Sequence, residues 1–412
     1  MRKAISCAAL IGVAALISLP GAASAQQSCT PRPPADSNNE TPAIFELRRQ
    51  FLNPWFMPIA YHSIDSFFET QQVPRGDRSE PLSRAERPLD FSYQFDGRTI
   101  PADQMFDRTF TNALMIVKDG RIVYENYRNF TDPRSHFLSM SMAKSITSIL
   151  IGIAIDHGAI RSLDDQITRY VPELKGSAYD GVTIRDAIDM KSGVDRSDSD
   201  QLKPGTVTAQ RREDILVRNA IPVVCEALMV GRKAEPGKTF DYSTLNTTVL
   251  GWVLERAVKQ PLARYTSEML WQPLGAEASA FWIMDGKGPD AHPFNGLGFN
   301  ATMRDYARLG LMMLNQGKAN GRQIVSARWV EESTGGSHAP TSPGAKMGYQ
   351  HFWWTIPGQS AYLAIGLAGQ IIYVDPATRT VIVKLSYVPL DNKTAMPETM
   401  AFLQAASKWA RN

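Results

Sequence analysis

The stretch Ser139-Met140-Ser141-Met142-Ala143-Lys144-Ser145 opens an apolar run that continues to Asp156 and stops at Gly158. Ser145 to Asp156 is apolar around most of a helical circumference, so a helix here has no wet face and belongs at the centre of the molecule. Gly158 is the residue type that best ends such a helix. At its start Ser141 and Lys144 stand three apart and share a face, which lets the lysine amine reach the serine hydroxyl and take its proton. Unpaired backbone N–H groups and the positive dipole end at that terminus favour any negative charge that develops there. Alone, Ser-x-x-Lys also reads as a helix start with a surface lysine, and residue frequencies give about one chance occurrence in a chain of this size. The surrounding sequence has to separate the two readings.

Outward from this helix the pattern changes to strands at both chain ends. Leu114-Met115-Ile116-Val117 and Ile122-Val123-Tyr124 flank Lys118-Asp119-Gly120-Arg121, a strong hairpin signal. A second hairpin is expected from Ile371-Ile372-Tyr373-Val374, a turn at Asp375-Pro376, and Val381-Ile382-Val383-Lys384-Leu385, before a last helix from about Pro397 to Trp409. Between them Thr183-Ile184-Arg185-Asp186 and Thr302-Met303-Arg304-Asp305 read as capping-box helix starts, the first helix running to Gly193. Leu250 to Val258 and Leu262 to Leu270 read as a helix pair broken near Pro261. Strands at the ends with helices between imply an α/β domain from residues 43–135 and 340–412, with an inserted helical domain at 136–339. The cleft between them is where a site belongs.

The first 25 residues, with Arg2-Lys3, an apolar run from Ala4 to Leu19 and Ala23-Ser24-Ala25, read as a secretory signal peptide cleaved after Ala25. The run is too short for a membrane anchor, so a periplasmic or secreted protein is expected. Residues 26–42 read as a polar, proline-rich flexible leader. Of the 44 basic residues Arg2 and Lys3 leave with the signal, and the remaining 42 nearly balance 41 acidic ones. That balance gives no electrostatic case for nucleic acid. Cys29 and Cys225 remain after cleavage; they could pair in an oxidising compartment, but two cysteines make no framework, and the pairing stays open. None of the six histidines forms a ligand pair, so neither a metal nor another cofactor is expected.

A Ser-Lys nucleophile needs a second proton-transfer group and an oxyanion hole. Pro236-Gly237-Lys238-Thr239-Phe240-Asp241-Tyr242-Ser243-Thr244 delivers a tyrosine on a loop ahead of a helix, and Ala364-Ile365-Gly366-Leu367-Ala368-Gly369-Gln370 follows near the last hairpin. With Ser139 to Ser145 these segments occur in the order of the serine β-lactamase and penicillin-binding-protein superfamily. The chain resembles its class C-like branch over roughly residues 60 to 390, and especially the nylon-oligomer (6-aminohexanoate-dimer) hydrolases and related carboxylesterases. Lys118-Asp119-Gly120-Arg121-Ile122-Val123-Tyr124-Glu125 and Asn300-Ala301-Thr302-Met303-Arg304-Asp305-Tyr306-Ala307 carry that likeness further.

The resemblance implies a β-lactamase-like fold, an antiparallel sheet flanked by helices and built from both chain ends, with the helical domain inserted. It implies Ser141, Lys144 and Tyr242 as catalytic residues, and the backbone N–H groups of Ser141 and Leu367 as the oxyanion hole. Asn300, Ala364 and Gly366 fall at substrate-contact positions, although Asn300 also reads as a helix cap. Two departures stand out. Ala364 occupies the place of the family's usual Lys or His, which removes a cation for a substrate carboxylate, and Thr244 replaces the Asn of Tyr-x-Asn. The expected function is a secreted serine hydrolase that cleaves small esters or linear amides through an acyl-enzyme. A D,D-peptidase or β-lactamase, and a catalytically silent penicillin-recognising binding protein, are the alternatives.

Overall fold

The computed structural model describes residues 29, 40–201, 203–288, 290–335 and 340–409. The expected signal segment and most of the leader lie outside the described residues. Two sheets are built from β1 (Thr70–Val73), β2 (Ser83–Arg84), β3 (Thr111–Lys118), β4 (Arg121–Tyr127), β5 (His136–Leu138), β6 (Ala280–Ile283), β7 (Phe299–Thr302), β8 (Gly348–Gln350), β9 (Trp353–Thr355), β10 (Tyr362–Gly366), β11 (Gln370–Asp375) and β12 (Thr380–Ser386). The larger has the order β8-β9-β10-β11-β12-β3-β4-β2, antiparallel except where β2 joins β4.

Both expected hairpins are present. Asp119 and Gly120 have φ of 47° and 77°, the double left-handed turn whose twist matches a two-residue hairpin. At the sheet centre β3 lies against β12, with Met115 opposite Val383, so strands from the two chain halves share one ladder. Period-two alternation sorts their side chains: Met115, Val117, Val381 and Val383 enter the main core, while Leu114, Ile116, Tyr373 and Ile382 enter a second core under the last helix.

The helices that matter here are α1 (Pro42–Gln50), α2 (Met142–Asp156), α3 (Ile184–Ile188), α4 (Val207–Arg212), α5 (Thr244–Val258), α6 (Leu262–Thr266), α7 (Met303–Leu314) and α8 (Ala395–Trp409). Every residue of α2 from Met142 to Ala154 is buried, as its sequence requires. Thr183 and Asp186 form a full capping box on α3. That helix ends short of Gly193, because Met190 turns the chain with φ of 58°. Lys259, left-handed at the end of α5, and Pro261 break the α5–α6 pair as expected.

The segment expected to be all-helical differs in one respect. β5, β6 and β7 lie within residues 136–339 and join β1 in a four-stranded antiparallel sheet of order β1-β6-β7-β5. Both β6 and β7 are buried at every position; the apolar run of β6 carries no period that separates strand from helix, while β7, Phe299–Thr302, is only four residues long and runs straight into the capped start of α7. Helix α7, from the same segment, packs on β11 and β12 of the large sheet. Cys29 and Cys225 are joined as a disulfide, which closes the question the sequence left open. Among the described residues no helix is long and apolar enough to cross a membrane.

Candidate active site

Ser141 sits directly before α2, and Met140 ahead of it has φ of 46°. A left-handed conformation costs a side-chain-bearing residue free energy, and here it turns β5 sharply into the helix so that the Ser141 hydroxyl faces the cleft. The neighbouring serines are otherwise engaged. Ser139 is buried and donates to the carbonyl of Met140 at 3.0 Å, while Ser145 donates to that of Phe352 at 2.7 Å.

Lys144 is almost fully buried, and its Nζ donates to three acceptors, each at 2.9 Å: Ser141 Oγ, Thr244 Oγ1 and the Gly296 carbonyl. Burial lowers its pKa to about 8, with the charge of Asp198 pulling upward and that of Arg196 downward. Asp198 reaches the amine through Thr244. The Thr244 hydroxyl donates to Asp198 Oδ2 at 2.5 Å, and the Thr244 N–H donates to Oδ1 at 2.9 Å. Arg196 donates to Asp198 and, at 3.2 Å, to Glu226. With its proton committed to Asp198, the Thr244 hydroxyl can only accept from Lys144. A neutral amine has two N–H bonds, which Thr244 and Gly296 take up, so its lone pair is left towards Ser141.

Tyr242 packs between Trp354, stacked at 5.8 Å, and Tyr349, edge-on at 5.8 Å, with Lys144 Nζ 5.0 Å from its ring centre. Burial and the Asp198 charge push the phenol pKa well up against a smaller opposing effect of the Ser141 hydroxyl. The phenol therefore keeps its proton at neutral pH.

Leu367 follows β10 in the turn to β11. A Cβ on Gly366 would lie 2.3 Å from the Ser139 carbonyl, so glycine is what allows this strand end to press against the turn that carries Ser141. Ala368 and Gly369, with φ of 60° and 86°, complete the turn. Gln370 pins it, accepting from the Ser386 N–H at 3.2 Å and donating to the Ser386 carbonyl at 2.7 Å. Among the described residues the N–H groups of Ser141 and Leu367 have no acceptor, as a receptor for an oxyanion requires.

These groups open into a cavity of about 530 Å³. Its walls are mostly apolar and come from distant parts of the chain: Phe51 and Leu52 just after α1, Leu216 after α4, Trp354 on β9, and Val388 and Met396 near the C-terminal end. Gly366 and Leu367 line it. Two expected contacts are absent. Ala364 is fully buried in the main core and does not line the cavity, so it touches no ligand there. Asn300 is buried in β7 and donates to the Gly298 carbonyl at 3.0 Å. It is neither a substrate contact nor a cap, since Thr302 caps α7 by accepting from the Asp305 N–H. Asp198, Arg196, Gly296 and Arg212 were not legible from sequence. Asp198 lies in Ser197-Asp198-Ser199-Asp200, a run that reads as turn chemistry alone.

The beta-lactamase family description matches residues 103–405. The chain belongs to the beta-lactamase family. As a β-lactamase-fold hydrolase it is 31% identical over 342 residues to the 6-aminohexanoate-dimer hydrolase of Paenarthrobacter ureafaciens, covering 80% of this chain and 85% of that one. A Bacillus anthracis protein described provisionally as a 6-aminohexanoate-dimer hydrolase superposes with a TM-score of 0.78 at 25% identity, over 92% of this chain and 98% of that one. EstCE1, a hydrolase with promiscuous acyltransferase activity, shares the β-lactamase-like fold, with a TM-score of 0.61 at 16% identity over 76% of this chain and 96% of that one.

Proposed function

We propose that this chain is a serine hydrolase that cleaves short linear amides and small esters through an acyl-enzyme on Ser141, with aminohexanoate oligomers as the amide class. The observation that carries this reading is Lys144, buried with a pKa of about 8 and fixed so that its free lone pair meets the Ser141 hydroxyl. Ser141 Oγ attacks the carbonyl carbon while its proton passes to neutral Lys144. The N–H groups of Ser141 and Leu367 hold the oxyanion. The C–N or C–O bond then breaks as Tyr242 gives its proton to the leaving group and recovers one from Lys144. Water repeats the sequence in reverse to free the acid.

The 6-aminohexanoate-dimer hydrolase at 31% identity supports the amide class. The apolar cavity supports an unbranched aliphatic chain. Mass spectrometry after treatment with a fluorophosphonate should find the adduct on Ser141, and an adduct on Ser139 or Ser145 would overturn the mechanism. In a panel of 6-aminohexanoate dimer, a butyrate ester and nitrocefin, the first two should be turned over faster. Equal turnover of nitrocefin and the butyrate ester would sink the preference for linear substrates.

We also infer that residues 1–25 are an export signal and that the protein works outside the cytoplasm. The Cys29 to Cys225 bond supports this, because such bonds persist in oxidising surroundings. Sequencing of the exported protein should begin at Gln26. Retention of Met1 on the exported form would overturn it.

A further inference from the structure

Arg212 ends α4, where the helix widens into a π-helical turn over Glu213–Val217, and its side chain lines the cavity that holds Ser141 and Tyr242. π-Turns of this kind recur at functional sites. The Arg212 Nη2 atom is buried and has no hydrogen-bond partner among the described residues. A buried guanidinium nitrogen without an acceptor is costly, because desolvation is not repaid.

The nearby carboxylates are already engaged. Glu213 is held by Arg49 at 2.5 Å and Arg218 at 3.0 Å. Asp198 is taken by Arg196 and Thr244, Glu226 by Arg196, and Asp214 accepts from Gln210 at 3.1 Å. Burial accordingly pulls the guanidinium down from its usual range, and only Glu213 opposes. The guanidinium carbon lies 5.8 Å from the centre of the Phe51 ring, a contact that holds a flat cation in place without neutralising it. Phe51, Leu216 and Leu297 line the same cavity. The layout is a nucleophile, an apolar stretch and an uncompensated cation.

We infer that Arg212 recognises a carboxylate at the end of the substrate chain remote from the scissile bond, so that the enzyme selects linear esters and amides that carry a terminal acid. The inference rests on the proposed serine hydrolase reading and adds the substrate class to it. It also relocates the positive charge of the site. The strand position at Ala364 offers none, whereas Arg212 supplies one from the wall of the cavity that also holds Ser141. Arginine suits the task because its planar fork matches a carboxylate bidentately.

The test uses matched pairs on the full disulfide-bonded protein. On the acyl side, mono-4-nitrophenyl esters of linear dicarboxylic acids are compared with 4-nitrophenyl esters of monocarboxylic acids of equal length. On the leaving-group side, N-acyl-6-aminohexanoate is compared with its methylamide. In the wild type one acid-bearing series should exceed its neutral partner in kcat/KM by roughly 10- to 100-fold, the usual reach of a charge-assisted hydrogen bond. In Arg212→Gln that ratio should collapse towards one, and Arg212→Lys should restore part of it. The side on which the ratio appears identifies which end of the substrate meets Arg212. Equal values for acid and neutral partners in the wild type, or equal proportional losses in Arg212→Gln, would overturn the assignment. Fluorophosphonate labelling of Ser141 is followed in parallel. Normal labelling with no acid preference rejects the role of Arg212 alone, whereas absence of labelling in the wild type rejects the serine hydrolase reading itself.

Discussion

In the proposed mechanism Lys144 must shed a proton before it can accept one from Ser141, and its pKa of about 8 leaves roughly a tenth of it neutral at pH 7. We therefore expect kcat/KM for a neutral ester to rise with pH through an apparent value near 8 and then level; a profile flat from pH 6 to 9 would contradict this. Asp198 raises that pKa, so Asp198→Asn should move the rising limb to lower pH. The same change weakens the acceptor that orients Thr244, so the plateau should also fall, and Thr244→Val should lower it without the charge-dependent shift. Lys144→Ala and Tyr242→Phe should each lower kcat by about 10² or more, and the double variant should lose less than the product, because the two groups pass one proton. At this scale the sequence singled out Ser141 and Lys144 by their helical spacing and Tyr242 by the order of the motifs, and the structure brings the three together. Asp198 was not legible, because its partners are 46 and 54 residues away by number, at Thr244 and Lys144, and only the fold joins them.

The β10–β11 turn shows how backbone packing alone can set a donor in a site: Gly366 lets the strand end press against the Ser141 turn, and Leu367 follows it at the cavity wall. Gly366→Ala would drive a Cβ to 2.3 Å from the Ser139 carbonyl, displacing Leu367 from Ser141. We expect activity to fall at least 10²-fold with far-ultraviolet circular dichroism unchanged, since one donor of an oxyanion hole is worth that much. In β12, Lys384 is fully buried and donates to the Thr109 carbonyl at 3.1 Å and to Ser386. Burial depresses its pKa from 10.5 to about 7. A lysine whose folded pKa is lowered binds fewer protons than the unfolded chain between those values, so stability rises with pH across that window and the full cost is felt below pH 7. Lys384→Met should therefore melt higher than wild type at pH 6, with the gap narrowing by pH 9.5; a constant gap would point to packing instead of charge. The hairpin at Asp119-Gly120 and the buried helix α2 were legible because turn chemistry and apolar periodicity are local. The strand β6 was not, since burial on both faces leaves an apolar run without alternation, and β7 was not because its four residues lead directly into the helix start at Thr302.

Across the whole molecule the disulfide ties Cys29 to a residue 196 positions later. In the chain-entropy picture a loop of that size contributes about 5 kcal/mol by restricting the unfolded state, so reduction, or Cys225→Ser, should lower the melting temperature by roughly 6 °C. A change under 2 °C would show that the bond adds nothing to global stability. Pairing over such a distance leaves no trace in local sequence, and the overall fold was legible only because three motifs occur in a fixed order. The cavity has a consequence for how this scaffold can diversify. The groups proposed to transfer protons, Ser141, Lys144 and Tyr242, come from the middle of the chain, while much of the wall comes from Phe51 and Leu52 near one end and Val388 and Met396 near the other. Recombination that exchanges only the flanks of the gene can therefore retarget the enzyme to new chain lengths and leave its chemistry intact, so substrate range and catalytic machinery are free to evolve as separable inheritances.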